Sequence, residues 1–538
     1  MFGWTLGDLA RAGEVSAPPV ALVDRLAAVD GEREAARLLR ASLRSDSDFA
    51  RSLRPGARDH GAVFDDPTLY AVEASLAPDP DTLSVRMTSV WTNASPEPVT
   101  EVVFRVLANG QDLWPDNARL LSARVDGVPV VATFSDTILR VALPQPVALG
   151  QMARVYLDLV AGLPSTEHTP SWTGPLNAER VGIFGKRDGV VNLGGWLPVI
   201  VPRLPGGAWD APPLPRHGET GWTEPALFDV WLDLPPAWEV ATTGVELSRT
   251  DEPHRRRIHA TASAVREFAV EAGPGLMVTA TDIDDVRLRV MYPIAHPEIG
   301  RDLLRYGERA LRLFVDRFGP LAQAEIDVVD APVNVALGSE FPGLVTIDTH
   351  HAAQGPYVRS RYHEWTLAHE LAHQWWAAEV GSDPRAEPWL DEALAAWSAS
   401  LYWRREHGSV ALEARHREDV VLPHADMRDQ GLADLPANLD SEAYDLLRYA
   451  AVIYGRAPLW FDALGAAIGD EELFGALQAY YDTHHCRRAT ADDLVAALKA
   501  STDHPEQVDA LFRRWIGEAH GFEDLLETAA APAVVPPL

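Results

Sequence analysis

The sequence of 538 residues contains a single cysteine, Cys486. An intramolecular disulfide is therefore impossible, and a structural metal site built from several cysteine thiolates is excluded. No apolar run approaches the roughly 18 residues that a membrane-spanning helix needs, so no membrane span is expected. The N-terminus, MFGWTLGDLARAGEV, lacks the basic stretch and apolar core of a secretory signal. A cytoplasmic protein is therefore expected, with export as the alternative.

Basic residues are also scarce relative to acidic ones. Lys and Arg total 47 and Asp and Glu total 78, so the formal net charge is −31. An acidic surface repels phosphate backbones and anionic membranes, so nucleic acid is not expected as a partner. Hydrophobic residues make up 47% of the chain and charged residues 23%. These fractions are typical of globular protein, and a chain of this length can bury large cores in several domains.

The pattern of the sequence changes along the chain, which predicts a helical lead-in over residues 1–60 and a β-sandwich domain over residues 61–275. Short alternating stretches punctuated by proline and glycine fill the second segment. In LSVRMTSVW, Leu83, Val85, Met87 and Trp91 are expected to share one face of a strand. LFDVWLDLPPAWEVATTG predicts a strand pair around a Pro–Pro turn.

Residues 276–525 are mainly helical in pattern and predict a second domain with a helical segment. HPEIGRDLLRYGERALRLFVDRFG predicts a long amphipathic helix that ends at Gly319. LGSEFPGLVTID predicts an edge strand interrupted by proline, and Thr490 with Asp493 predicts a capping arrangement for the helix that follows. The last residues, 526–538, are expected to be disordered.

His369-Glu370-Leu371-Ala372-His373 is an HExxH motif within a predicted helix. Histidines four positions apart lie on one helical face, one turn apart, and can bind a single Zn²⁺. Glu370 lies one position further round and can act as a base towards water. A catalytic zinc needs a third protein ligand, and Glu392, on the next predicted helix, can supply it. The alternative is two satisfied histidines and an ordinary exposed helix carboxylate.

These residues also carry a family resemblance. HELAHQWWAAEV followed by WLDEALA resembles the HExxH-x18-E signature of the M1 metallopeptidases, a family of zinc aminopeptidases. The resemblance implies one zinc ion bound by His369, His373 and Glu392, with Glu370 as general base. It covers about residues 61–525 and implies a multidomain α+β fold. Its parts would be an N-terminal β-sandwich domain, a thermolysin-like catalytic domain and a helical C-terminal segment.

The segment LGSEFPGLV is similar to the GxMEN motif that this family carries upstream of its zinc helix. The similarity implies that Glu340 holds the free α-amine of the substrate. An anion at a fixed distance from the metal would act as a ruler that admits only the first peptide bond. Ser339 and Phe341 depart from the Met and Asn of the family motif. The alternative role for Glu340 is a surface charge at a strand edge.

AVIYGRAPLW is similar to the family segment that carries a tyrosine about 60 residues beyond the ligand glutamate. The similarity implies that Tyr454 stabilises the oxyanion together with zinc. Arg456 stands where the family usually has lysine. Tyr444 and Tyr449 are nearby competitors that spacing alone does not exclude, and a core tyrosine is the structural alternative for Tyr454.

The resemblance therefore implies a zinc-dependent metallopeptidase that acts on peptides and removes their N-terminal residues. Two alternatives remain open. One is a zinc endopeptidase or other hydrolase of the same fold that needs no free N-terminus. The other is a non-catalytic M1-like scaffold. The sequence does not indicate an oligomeric state.

Overall fold

The computed structural model describes residues 47–58, 67–76, 81–165, 176–334, 336–349 and 361–527. Most of the predicted helical lead-in and of the predicted disordered tail lies outside these residues. The described part of the lead-in contains a short 3₁₀ turn, Phe49–Ser52.

The first half of the chain is built from strands. They are β1 (Thr68–Leu76), β2 (Thr82–Thr92), β3 (Val99–Arg105), β4 (Ala118–Val125), β5 (Val128–Pro129), β6 (Ala132–Ser135), β7 (Ile138–Val147), β8 (Met152–Gly162), β9 (Leu176–Asn177), β10 (Phe184–Arg187), β11 (Val190–Leu193), β12 (Val199–Ile200), β13 (His217–Gly218), β14 (Ala226–Leu234), β15 (Glu239–Thr242), β16 (Val245–Glu252), β17 (Arg255–Val265) and β18 (Val270–Gly273). A short helix, α1 (Ala178–Val181), follows β9.

Three sheets from this half enclose one hydrophobic core. The largest has eight strands in the order β16-β17-β14-β1-β2-β8-β4-β5, and the two others have the orders β12-β3-β7-β6 and β10-β11-β18-β15. The alternation predicted for β2 is confirmed, since Leu83, Val85, Met87 and Trp91 are all buried. Alternate side chains of a strand point to opposite faces, so one face of β2 supplies the core.

The strands on either side of the Pro–Pro turn are both present, but the prediction that they form a pair is wrong. β14 pairs with β1 and β17, whereas β15 pairs with β18 in another sheet. Pro235 and Pro236 have no N–H group to donate to a ladder. The chain leaves one sheet at this point and enters the next.

The second half begins with a five-stranded mixed sheet. Its strands are β19 (Leu276–Ile283), β20 (Val286–Pro293), β21 (Glu325–Asp330), β22 (Gly338–Phe341) and β23 (Leu344–Ile347), in the order β19-β20-β21-β23-β22. The single interrupted edge strand predicted around Pro342 is instead a hairpin of β22 and β23. Its turn contains Pro342 and Gly343, and Gly343 has a φ of 71° that glycine adopts readily. β22 is the outer strand and carries Glu340.

Helices fill the rest of the chain. They are α2 (Pro297–Phe318), α3 (Tyr362–His373), α4 (Trp389–His407), α5 (Ser409–His416), α6 (Leu422–Asp429), α7 (Leu446–Arg448), α8 (Leu459–Ile468), α9 (Asp470–His484), α10 (Ala491–Ala500) and α11 (Pro505–Phe512). Two-residue strands β24 (Val380–Gly381) and β25 (Arg487–Arg488) pair with each other. The predicted end of α2 at Gly319 and the predicted capping box of Thr490 and Asp493 are both confirmed.

The five-stranded sheet and the helices share a second large core. A smaller cluster links the two halves, because Val190 and Ala241 of the β-rich half pack with Val329, Phe341 and Leu344 of the mixed sheet. This arrangement confirms the predicted multidomain α+β class, with a β-rich first part and a mixed second part that ends in helices. None of the described helices is both long and apolar enough to cross a membrane.

Candidate metal centre and active site

Helix α3 presents two histidines on one face. The Nε2 atoms of His369 and His373 are 3.1 Å apart, and their rings meet edge to face with centroids 4.8 Å apart. The apolar residues between and before them, Leu367, Leu371 and Ala372, are buried in the core. Helical periodicity therefore anchors one face of α3 in the core and turns the two imidazoles towards the neighbouring cavity.

Glu392, in the first turn of α4, completes a triangle with these histidines. Its Oε2 lies 3.2 Å from His369 Nε2 and 3.4 Å from His373 Nε2. Ligands about 2.0–2.2 Å from a tetrahedral zinc are separated by about 3.3–3.6 Å, and the separations here of 3.1, 3.2 and 3.4 Å are close to that spacing. The donor set, two imidazole nitrogens and one carboxylate, is also typical of a catalytic zinc site. The residues present therefore fit the ion.

The charges of Glu392 and the histidines shift the pKa values at this centre. Burial by itself would lower the pKa of His373, but the hydrogen bond and charge of Glu392 raise it to about 9. Burial opposes ionisation of Glu392, yet both histidines bring its pKa below the usual range. Glu392 thus provides negative charge beside the two imidazole nitrogens, which favours a bound cation.

Glu370 lies beside this triangle, and one of its carboxylate oxygens is within 4.8 Å of the histidine nitrogens. Glu392 approaches both nitrogens more closely, so Glu370 is left available for proton transfer. Burial raises the pKa of Glu370, whereas the neighbouring His369 and His373 lower it. A carboxylate with a raised pKa is a stronger base at neutral pH than an exposed one.

Gly338 on β22 packs directly against Glu370. A Cβ atom at this position would lie 2.7 Å from Glu370 Oε1 and 2.9 Å from Thr366 Cγ2. We expect Gly338→Ala to displace the Glu370 carboxylate and to lower kcat about 10- to 100-fold while zinc remains bound. Steady-state kinetics with metal analysis measures both quantities.

Gly475→Ala is the matched control, because a Cβ atom there has no heavy atom within 4 Å. Gly475 lies within α9, where alanine favours the helix. Unchanged kcat in both variants would show that the close approach of β22 does not position Glu370.

Tyr454 is the tyrosine that contacts the centre. Its hydroxyl donates a 2.6 Å hydrogen bond to Glu392 Oε1, and its ring lies 5.8 Å from that of His369. It belongs to the π-helical stretch Tyr449–Arg456, a type of local distortion that is frequent at functional sites. Burial and the Glu392 charge raise the pKa of Tyr454, so it remains a hydrogen-bond donor.

The other residues of this segment have different roles. Tyr444 donates its hydroxyl hydrogen to the Pro436 carbonyl, 2.6 Å away. Tyr449 is buried and lines the cavity beside Gly218. Arg456 donates to the backbone carbonyls of residues 514 and 518 and so fastens the C-terminal segment. The structure therefore brings Tyr454 to the histidines and gives Arg456 a structural role.

Glu340 lies in the same cavity, where it shares a hydrogen bond with Glu219. Burial, that hydrogen bond and the surrounding carboxylates raise the pKa of Glu340 well above its usual value. Glu219 follows β13 in the β-rich half, and sequence reasoning missed it. Glu219 has no fixed sequence spacing from the HExxH helix. Only its local sequence, Gly218-Glu219-Thr220, could have indicated it.

Asp391 is a second residue that sequence reasoning missed. It is buried, and its Oδ1 accepts a 2.8 Å hydrogen bond from the Glu392 backbone N–H. The Ser382 hydroxyl donates to its other oxygen at 3.3 Å. These contacts hold the first turn of α4, and therefore the Glu392 side chain, in place.

The site opens into a cavity of about 610 Å³ between the two halves of the chain. Its walls come from the β-rich half, from β22 and from helices α3 and α4. The two histidines, Glu370 and Glu392 line it together with Glu340. This volume is sufficient for a peptide segment of a few residues.

The HExxH helix, the distant glutamate and the adjoining cavity are features of the HExxH class of metallopeptidases. Residues 306–515 match the model of the Peptidase family M1 domain. Over these residues the chain is similar to peptidase family M1, as the resemblance of its motifs implied.

Curated relatives carry aminopeptidase names. Aminopeptidase M1 of Arabidopsis thaliana is 28% identical over 260 residues, which cover 43% of this chain and 27% of the relative. Aminopeptidase N of Lactobacillus helveticus is 30% identical over 150 residues, which cover 26% of this chain and 16% of the relative. The chain spans only about a quarter to a third of the length of the plant relatives it matches.

Solved structures share the fold over most of the chain. The M1 zinc metallopeptidase from Deinococcus radiodurans superposes with a TM-score of 0.61 at 20% identity, covering 84% of this chain and 94% of the other. A variant of that protein bound to a Tyr-Ser-Ala substrate gives a TM-score of 0.58 at 20% identity, with the same coverage of both chains. At this identity the likeness establishes the fold.

Proposed function

We propose that this chain is a zinc-dependent metallopeptidase that removes N-terminal residues from peptides. The observation that carries the proposal is the pair of carboxyl groups, Glu340 and Glu219, in the cavity that also holds the HExxH centre. The M1 domain and the aminopeptidase names of the relatives support it.

His369, His373 and Glu392 would hold the zinc ion. When bound, the ion supplies Lewis-acid chemistry, in that it polarises the scissile carbonyl and lowers the pKa of water. Glu370 takes a proton from the attacking water and passes it to the leaving amine. Its burial, which favours the protonated form, assists the second transfer.

Tyr454 would stabilise the negative charge that develops on the carbonyl oxygen. Its hydroxyl donates to Glu392 Oε1 and can redirect this hydrogen bond to the oxyanion. The raised pKa of Tyr454 ensures that the proton is present at neutral pH. The partly buried ring packs against Tyr449, with centroids 5.8 Å apart, which limits its movement.

Glu340 and Glu219 would bind the free α-ammonium group. Two carboxyl groups that share a hydrogen bond have at least one proton between them, and a cation restores their full ionisation. Because these groups and the histidines have fixed positions in one cavity, a bound ammonium places the first peptide bond at the metal. A blocked N-terminus has no charge to offer and would leave the carboxylates unpaired.

This proposal predicts a strong requirement for a free N-terminus. We expect N-acetylated amino-acid p-nitroanilides to be hydrolysed much more slowly than their free counterparts. We expect Glu340→Gln to lower kcat/KM for free substrates about 30-fold or more, because it removes one partner of the charge pair with the substrate amine. Zinc content should stay unchanged in this variant.

Glu471→Gln, at an exposed position on α9, is the control and should leave kcat/KM unchanged. Hydrolysis of the acetylated substrate as fast as the free one would remove Glu340 from this role. That result would favour the endopeptidase alternative.

A further inference from the structure

Arg266 is a charged residue of the cavity wall that the proposed mechanism does not use. It lies in the turn between β17 and β18 and is 9% exposed. Its guanidinium carbon is 5.1 Å from the centroid of the Trp222 ring, which covers one face of the cation. Its Nε has no hydrogen-bond partner among the described residues, and no described carboxylate lies within 4.0 Å to form an ion pair.

Other buried arginines of this chain are paired. Arg105 donates to Thr137 Oγ1 at 2.7 Å and to the Pro212 carbonyl at 2.6 Å. Arg256 forms ion pairs with Glu239 and Asp251. A buried guanidinium without such partners is costly, so Arg266 is conspicuous in a cavity where ligands enter.

The adjacent Glu267 does not fully neutralise the positive charge of Arg266. Burial, together with the charge of Glu219, raises the pKa of Glu267 to about 7 against the opposing effect of Arg266. Its carboxyl group also accepts a hydrogen bond from the Gly195 backbone. At neutral pH this group is only partly ionised, and Arg266 retains the capacity to bind an external anion.

Arg266 lines the same cavity as the proposed amine-binding carboxyl groups and directly precedes Glu267 in the chain. Glu219 interacts electrostatically with Glu267 and shares a hydrogen bond with Glu340, so these groups are neighbours. The other cavity residues contributed by the β-rich half include the apolar side chains of Leu107, Leu197 and Val199. The side chain of a first residue whose amine is bound by Glu340 and Glu219 can contact this wall.

We propose that Arg266 binds the side-chain carboxylate of an acidic first residue, so that the chain prefers peptides that begin with glutamate or aspartate. The inference rests on the proposed aminopeptidase function. A guanidinium can bind a carboxylate through two parallel hydrogen bonds, and the apolar wall accommodates the methylene groups that precede it. A small inorganic anion such as chloride has the same charge and is the competing occupant.

The test compares glutamyl and glutaminyl p-nitroanilides, which differ in charge at nearly constant shape. The wild-type zinc enzyme should show a kcat/KM for the glutamyl substrate that is about 30-fold higher or more. Arg266→Gln should bring this ratio close to one and leave the glutaminyl rate within about threefold. Arg266→Lys retains the charge without the planar fork and should keep an intermediate ratio.

Arg203→Gln is the matched control. Arg203 also covers a tryptophan ring, with its guanidinium carbon 4.8 Å from the Trp209 centroid, but it does not line this cavity. This variant should keep the wild-type ratio. Thermal unfolding of all variants identifies any general loss of structure. If Arg266→Gln is unfolded, the ratio of glutamyl to glutaminyl turnover in Arg266→Lys tests the inference instead.

Three results would overturn the inference. Equal hydrolysis of both substrates by the wild type excludes an acidic preference. An equal loss on both substrates in Arg266→Gln assigns the residue a structural role. If chloride stimulates turnover of leucyl p-nitroanilide and Arg266→Gln abolishes this stimulation, the occupant is an inorganic anion. Absence of turnover on every free-amine substrate by zinc-loaded protein would instead contradict the proposed aminopeptidase function.

Discussion

Glu370→Gln is expected to lower kcat about 10²- to 10⁴-fold while the protein keeps its zinc. Glutamine has nearly the same shape as glutamate, so the packing of Gly338 against this side chain is retained. The amide cannot accept the proton of the attacking water, however, and cannot return it to the leaving amine. The loss should therefore appear in kcat, with little change in KM.

The measurement is steady-state kinetics on a free-amine p-nitroanilide, with zinc quantified on the same sample. Glu413→Gln removes an exposed carboxylate from α5 and should behave as the wild type. Full activity in Glu370→Gln would contradict the mechanism. A simultaneous loss of zinc would assign Glu370 to metal binding.

Glu392→Ala is expected to abolish zinc binding and, with it, turnover. The substitution removes one of three ligand atoms and also the acceptor of the Tyr454 hydroxyl. Two histidines alone form an incomplete site for zinc. Elemental analysis should give about one zinc per chain in the wild type and very little in the variant.

Thermal unfolding provides a readout that does not depend on activity. A ligand that binds only the folded state stabilises it by about 2.7 kcal/mol when present at 100 times its Kd. A chelator should therefore lower the Tm of the wild type and leave that of Glu392→Ala unchanged. His363→Ala is the matched control, because His363 lies on α3 outside the HExxH motif and packs against Tyr306. Zinc bound normally by Glu392→Ala would overturn the ligand assignment.

Two consequences of the structure concern substrate selection. Glu340, Glu219 and Arg266 all line the cavity, so under these proposals the first residue of a peptide would be recognised by two opposite charges. The ammonium group would be bound by Glu340 and Glu219 and the side chain by Arg266. Substitution of Glu340 should therefore change the ratio of free to N-acetylated substrate turnover. Substitution of Arg266 should change the ratio of glutamyl to glutaminyl substrate turnover, so the two effects can be measured separately.

The local features of the centre could be predicted from the sequence. Helical periodicity alone places His369 and His373 on one face of α3, because residues four apart are one turn apart. The capping box at Thr490 and the end of α2 at Gly319 depend on hydrogen bonds within one helical turn. Such features need only a few consecutive residues, so a short pattern contains the information.

The sequence was less informative where distant segments meet. It predicted strands on both sides of the Pro–Pro turn, but their separation into two sheets depends on pairing with β1 and β18. It named three tyrosines as candidates, and only the packing of the π-helical stretch brings Tyr454 to Glu392. The sequence placed Arg456 where the family usually has lysine. In the structure Arg456 instead donates a hydrogen bond to the backbone of the C-terminal segment.

The sequence by itself determined the class of chemistry, through two histidines and a glutamate carried on two consecutive helices. Only the tertiary structure decided how a substrate would be held. Glu219 and Arg266 come from the β-rich half, and they line the cavity beside the centre because that half packs against the mixed sheet. The physical reason is that helix periodicity is a local property, whereas contacts between domains depend on the shapes of whole packed surfaces, which no short stretch of sequence encodes.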